Sequence, residues 1–419
     1  MNIDFNAGKK INKISEDEEK EEIIKQDEEE PVEENIEPPK SSYNKSDLKK
    51  QMAKIFSILI GIFLVILIVI LLLSVFSTKK YTYDDVELEM KRAAKAYFSD
   101  HQNQLPNAGN ISKLPVQNLI DGEYMKPIHK YLGDSVTCDG WVSVERIENT
   151  VSFSPYLDCG KDYKTIEFYK KLTDSKNIVK EGYGLYTMNS SYVYRGENIN
   201  NYVQLDKALW RIVKIKSNGY VQLILSEPMQ TTRPWDDRYN KITDFESGIN
   251  NYTTSRVKEL ITSIYNNKYV PDEEYEEYDY KFVSKKDKEK IVPVTICVGK
   301  RGTTDQSKNN SVECAATIKN QYVTLLTASD YLNASTDPNC RSTVDRTCGN
   351  YNYLKLDNVW WLLTAVKNDT SQAYMVDTDG SIISKNCSNY AKVRPVITLN
   401  NTALYKSGKG TLEKPYIIK

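Results

Sequence analysis

Histidine is nearly missing from these 419 residues, with His101 and His129 the only two. No CxxC pair, HExxH, GxSxG or Gly-rich phosphate loop stands in the context its chemistry needs. Zinc sites, serine hydrolases and phosphate-binding loops of the usual kinds therefore have no support, and no catalytic or metal-ligating residue is assigned. Outside the flanks of one apolar run no Lys/Arg block is dense enough for nucleic-acid binding. Cysteine is absent before Cys138, and all seven (Cys138, Cys159, Cys297, Cys314, Cys340, Cys348, Cys387) follow the apolar run.

That run, residues 55–76, has 22 positions without a charge, Pro, Asn or Gln. As a helix rising 1.5 Å per residue it covers roughly 33 Å, enough for the hydrocarbon core of a bilayer. It has no polar face, as a core helix would, and it is longer than the apolar part of a cleavable signal. The expectation is a retained single-pass anchor with membrane lipid as its first partner. Lysines 45, 49, 50 and 54 precede it and Lys79, Lys80, Lys91 and Arg92 follow it, so charge gives little orientation. The cysteines decide instead. Disulfides persist outside the cytoplasm, which places the N-terminus in the cytoplasm and the large C-terminal region outside the cell.

Residues 1–54 form the expected cytoplasmic tail with its basic membrane flank. Residues 1–40 hold 14 Asp or Glu against six Lys, and too few apolar side chains to offset the entropy of ordering. After the span, Val86, Met90, Ala93, Ala94 and Tyr97 recur at helical spacing, predicting a helix nearly continuous with the anchor. The stretch ISKLPVQNLIDGEYMKPI predicts a second helix. Two β-rich runs then meet near residues 148–150, bracketed by Cys138 and Cys159.

Residues 77–165 resemble a type IV pilin or pseudopilin-like α+β unit. The resemblance lies in the apolar run, EMKRAAKAY, Leu105-Pro106, the segment 118–125 and the hairpin after Cys138. It implies a helix packed against a small antiparallel sheet. A Gly-Phe-type processing site followed by Glu does not occur, since Lys54-Ile55 opens the run, so peptidase processing is not implied.

Residues 166–182 read as a linker, and 183–419 as a β-rich domain in which Tyr, Val, Ile and Thr runs alternate with turn residues. ALWRIVKI–KSNG–YVQLILS and QAYMV–DTDG–SIIS read as hairpins, TTSRVKELITSIYN as an amphipathic helix, and 273–290 as a solvated insertion. WRIVKI, LLTASDYLNAS, NVWWLLTA and VRPVITL resemble the landmarks of an uncharacterised domain of Gram-positive surface proteins. That domain is in turn similar to the C-type-lectin-like fold shared with formylglycine-generating-enzyme-like proteins. The expected fold class is thus α+β, with one transmembrane helix, a pilin-like unit and a C-type-lectin-like domain.

Candidate binding residues are Trp360, Trp235, Asp236 and Asp237, an aromatic and acidic set on the β-rich domain. In the tandem, Trp361 shares its face with Val359, Leu363 and Ala365 and is assigned to the core, leaving Trp360 outward or in a groove. Asp377 and Asp379 fit a turn, and Arg394-Pro395 a strand near a sheet edge. No cofactor is expected, calcium being the one ion that loop carboxylates could hold. The proposed pairs are Cys138–Cys159, Cys297–Cys314 and Cys340–Cys348, with Cys387 free. The favoured function is a membrane-anchored extracytoplasmic binding protein of the bacterial envelope, its ligand an envelope protein or glycan. A pilin-like structural or secretion-associated component comes second, and an envelope enzyme of formylglycine-generating type third.

Overall fold

The computed structural model describes residues 45–76, 81–147, 150–240, 246–269 and 282–419. The acidic tail over residues 1–44 and the first half of the Tyr-rich insertion, residues 273–281, lie outside them. The chain divides into two units, Met1–Thr78 and Lys79–Lys419.

Within the first unit a single helix runs over Lys45–Phe76. Its stretch Lys49–Ile70 is, among the described residues, the one helix long and apolar enough to cross a membrane, and none of it is buried by protein. Such a surface is unfavourable in water because apolar area this large would stay hydrated.

The second unit is α+β and holds two hydrophobic cores. In the smaller, the helix Tyr83–Asp100 starts at its own N-cap: Thr82 and Asp85 form a reciprocal capping box that satisfies the first free amides. The helix buries Val86, Met90, Ala93, Ala94 and Phe98 in a core shared with Val142, Val144, Phe153 and Leu157 of a three-stranded antiparallel sheet. Strands Asp139–Ile147 and Thr150–Asp158 make the expected hairpin, and Cys138–Cys159 closes its open end. The third strand, Ile111–Pro115, falls where a helix was expected, and only Val116–Asp121 is helical there. Residues 111–115 gain a full ladder of partners at residues 141–145, an edge position where the missing N–H of Pro115 is tolerated.

Residues 166–182 do not link two separate bodies. The short helix Phe168–Leu172 buries both its end residues in the larger core, and the Phe168 amide donates to Ala403 O at 2.8 Å. That core surrounds a nine-stranded sheet among the described residues. Its centre runs Val323–Thr324, Val396–Leu399, Val221–Leu225, Ala208–Ile215, Tyr202–Leu205, and Tyr416–Ile418 pairs parallel to the last of these. A second sheet of three strands, Trp360–Ala365, Gln372–Val376 and Ile382–Asn386, contains the other expected hairpin. The helix Arg256–Tyr265, capped by Ser255, buries Val257, Ile261 and Ile264.

Three expectations change here. Pro395 stands just before a strand paired on both sides, not at a sheet edge, and its carbonyl still accepts from the Leu225 amide at 2.9 Å. The insertion re-enters the fold at Phe282 and Val283, both buried, so its end is not solvated. Trp360 is wholly buried beside Trp361, because every residue of Trp360–Ala365 is covered on both faces.

Candidate ligand site

The residues singled out from sequence do not form an open site. Trp235 is fully buried, with its indole Nε1 donating to Leu362 O at 3.0 Å. Asp236 is equally buried and takes the Arg238 guanidinium Nε at 2.9 and 3.1 Å. Asp237 is exposed and lies 3.7 Å from Arg256. Trp360 packs edge-on to Tyr331 and carries the Arg394 guanidinium over its ring at 4.8 Å. Arg394 makes no ion pair among the described residues; the carbonyls of Leu225, Ser226 and Leu354 accept its N–H groups at 2.9–3.1 Å. Burial pushes its pKa down to about 10. Trp360 therefore serves a buried cation, which is a structural task.

The thiols are similarly occupied. Cys297–Cys314 and Cys340–Cys348 are disulfides, and Cys387 is free and buried. Burial, with Asp236 and Asp369 nearby, raises the Cys387 pKa far above that of an ordinary thiol, the opposite of what a nucleophile needs. Asp377 and Asp379 shape their turn: the Asp379 carboxylate accepts from the Ser381 amide at 2.8 Å around Gly380, whose φ is 83°. Among the described residues no group of three or more His, Cys, Asp or Glu could hold a metal ion.

A different cleft brings unpaired charge together. It has two lobes, an inner one of about 160 Å³ and an outer one of about 530 Å³, which meet at Lys214, Lys216, Asn310 and Asp330. The lysines reach it because of a β-bulge. In strict alternation Lys214 would share a face with Trp210 and Ile212, but the register shifts between Ile212 and Lys214. The extra residue turns Lys214 to the face of Gln222, its cross-strand partner, and Thr398 extends this polar row onto the next strand. Lys214 pairs with Asp330 at 2.6 Å. The Lys216 ammonium makes no hydrogen bond or ion pair among the described residues; burial lowers its pKa, and Lys214 adds to the effect.

Lys308 comes from a separate loop, held at its base by Cys297–Cys314. The buried Arg301 guanidinium, paired with Glu313 at 3.1 Å, also donates to the carbonyls of Ser307 at 2.5 Å and Asn309 at 2.8 Å. The carbonyl of Lys308 itself accepts from Asn333 Nδ2 at 3.2 Å. Three successive carbonyls are thus fixed, and the half-buried Lys308 ammonium lines the outer lobe with no bonded partner among the described residues. Burial, and after it the charge of Arg195, pushes its pKa down to about 8. Gln222 lines the inner lobe, and its Oε1 is sealed from solvent without a partner.

Sequence reasoning passed over Lys214, Lys216, Lys308 and Gln222. Its one available signal was Lys214 and Lys216, two positions apart at the end of the largely apolar strand Ala208–Ile215, which also carries Arg211.

The family described as a domain of unknown function (DUF6273) matches residues 219–401. The matched stretch includes Gln222, Lys308 and Asp330, while Lys214 and Lys216 precede it. No curated protein and no solved structure matches the chain.

Proposed function

We propose that this chain is a single-pass, membrane-anchored binding protein of the bacterial cell envelope. Its N-terminus is cytoplasmic, its C-terminal region is extracellular, and the lysine cleft is its ligand site. The observation that carries the reading is the placement of three disulfides, all on the C-terminal side of the apolar helix, since such bonds persist in oxidising surroundings. The resemblance of the larger region to the C-type-lectin-like fold belongs with this reading, because that fold presents ligand sites on loops. Protease added to cells stripped of their wall should remove the region after Thr78 and spare an epitope at Met1. Loss of the Met1 epitope with retention of the C-terminal region would reverse the topology.

A second reading, a pilin-like structural or secretion-associated component, is favoured by one observation: an amphipathic helix packed on a three-stranded antiparallel sheet directly after the apolar stretch. It predicts ladders of cross-linked oligomers in membranes treated with a short amine-reactive linker. The binding-protein reading predicts none that contain this chain alone.

A further inference from the structure

We propose that the cleft binds a hydroxylated anion, meaning a polyol or sugar bearing a phosphate or carboxylate, with the acid between Lys216 and Lys308 and a hydroxyl against the Gln222 amide. The inference rests on reading the cleft as the ligand site. Lys214 is paired with Asp330, whereas Lys216 and Lys308 are in no ion pair among the described residues; Asp330, Asp337 and Asp345 act on them only at longer range, so both ammonium groups are open to a closer anion. Partly desolvated ammonium groups gain from an oxyanion that replaces lost hydration with charge-assisted hydrogen bonds. A neutral or apolar occupant would leave them without compensation.

The geometry is built before any ligand arrives. Arg301 and Asn333 fix the backbone around Lys308, so little ordering entropy remains to be lost on binding. Gln222 supplies the second requirement. Its side chain lines the inner lobe, while its Oε1 is turned into the wall with no hydrogen-bond partner; turning the amide toward the lobe breaks no Oε1 bond and lets a ligand hydroxyl make one. That lobe of about 160 Å³ matches the liquid volume of about five waters. It suits a three-carbon polyol or part of a sugar ring. The larger outer lobe leaves room for the rest of a chain.

The test is calorimetry on the full-length chain in non-ionic detergent at pH 7, with sn-glycerol 3-phosphate, D-glucuronate, inorganic phosphate, glycerol and D-glucose as probes. At least one hydroxylated anion should bind about tenfold more tightly than inorganic phosphate, and the neutral probes should give no heat. Whether glycerol 3-phosphate or glucuronate binds better identifies the acid. Lys216→Met and Lys308→Met should each weaken binding by about tenfold or more, with unfolding midpoints no lower than the parent's, because neither ammonium is bonded and burial already disfavours its charge. Gln222→Leu should weaken the hydroxylated anion and leave inorganic phosphate unaffected.

Binding of glucose or glycerol as tight as that of the anions, and abolished by Gln222→Leu, would keep the cleft as a ligand site and overturn the anionic class. Inorganic phosphate binding as well as the polyol acids, with no effect of Gln222→Leu, would overturn the hydroxyl requirement. No heat from any probe up to about 10 mM would overturn the proposal. Binding untouched by all three cleft substitutions would remove the cleft as the ligand site altogether.

Discussion

Lys308 makes the cleft sensitive to pH. The charged groups facing it are Arg195 from one strand, Lys214 and Lys216 from another, Asp330 from a helix, and Asp337 and Asp345 from the loop beyond that helix. With its pKa near 8 the ammonium is protonated at pH 7 and mostly neutral at pH 9. Affinity for a phosphate monoester, already dianionic across that range, should fall by up to about tenfold between the two. Calorimetry at both values checks this, and Lys308→Met should flatten the dependence. Trp360 carries the opposite kind of prediction. Because both indoles of the tandem are buried, Trp360→Ala and Trp361→Ala should each cost about 3–5 kcal/mol in chemical denaturation. Trp360→Ala should be at the upper end, since it also strips Arg394 of its aromatic cover. Period-2 alternation separates the two faces of a strand but does not reveal that a second layer covers the outer one. That is why Trp360 was legible as a strand residue and illegible as core. Trp235 and Asp236 misled for a related reason: Asp beside an aromatic looks like a surface pair until the short strand Arg233–Pro234, paired with Tyr390–Ala391, draws both inside.

At the scale of elements, local patterns were the legible part. The hairpins at 208–225 and 372–386, the helix Arg256–Tyr265 and the three disulfides each depend on residues close in sequence. What escaped depends on distant partners. The strand Ile111–Pro115 exists only because residues 141–145 offer it a ladder, and the bulge near Lys214 appears only in the register with Val221–Leu225. The loop of Lys308 belongs to the same class, since its shape is imposed by Arg301 and Glu313. Glu313 also accepts from the Ser329 amide and the Thr364 hydroxyl, both at 3.1 Å. Replacing both Cys297 and Cys314 with Ser should lower stability by about 2–5 kcal/mol. It should also weaken the anionic ligand, because the base of the loop is released. Thermal unfolding and calorimetry on the same preparation measure the two effects. A loss of stability with unchanged affinity would mean that Arg301 alone suffices to place Lys308.

At the scale of the whole second unit, the smaller and larger cores meet through polar groups as well as by packing. Lys419 donates to Asp84 at 2.7 Å, to Tyr163 at 2.6 Å and to Glu87. Burial opposes its charge, but these bonds outweigh it and hold the ammonium charged through the physiological range. Lys91 and Lys95 reach Glu289 at 2.9 and 3.3 Å. Glu145 is the weak member of this contact. It is buried on the sheet of the smaller core, and among the described residues its carboxylate receives the Thr402 hydroxyl at 3.3 Å and Asn400 Nδ2 at 3.5 Å and is in no ion pair. Burial raises its pKa above the ordinary carboxylate value near 4.5, the Thr402 bond opposing only in part. A carboxyl whose folded pKa is raised contributes its full stability below the unfolded pKa and loses it as pH rises through the folded one. Glu145 therefore weakens the contact at neutral pH. Glu145→Gln removes that charge and keeps an amide oxygen to accept from the Thr402 hydroxyl. The difference in unfolding midpoint between variant and parent should be near zero at pH 4 and positive at pH 7. Differential scanning calorimetry across that interval measures it, and a variant less stable than the parent at pH 7 would show that the carboxylate is stabilised there by groups other than Thr402 and Asn400.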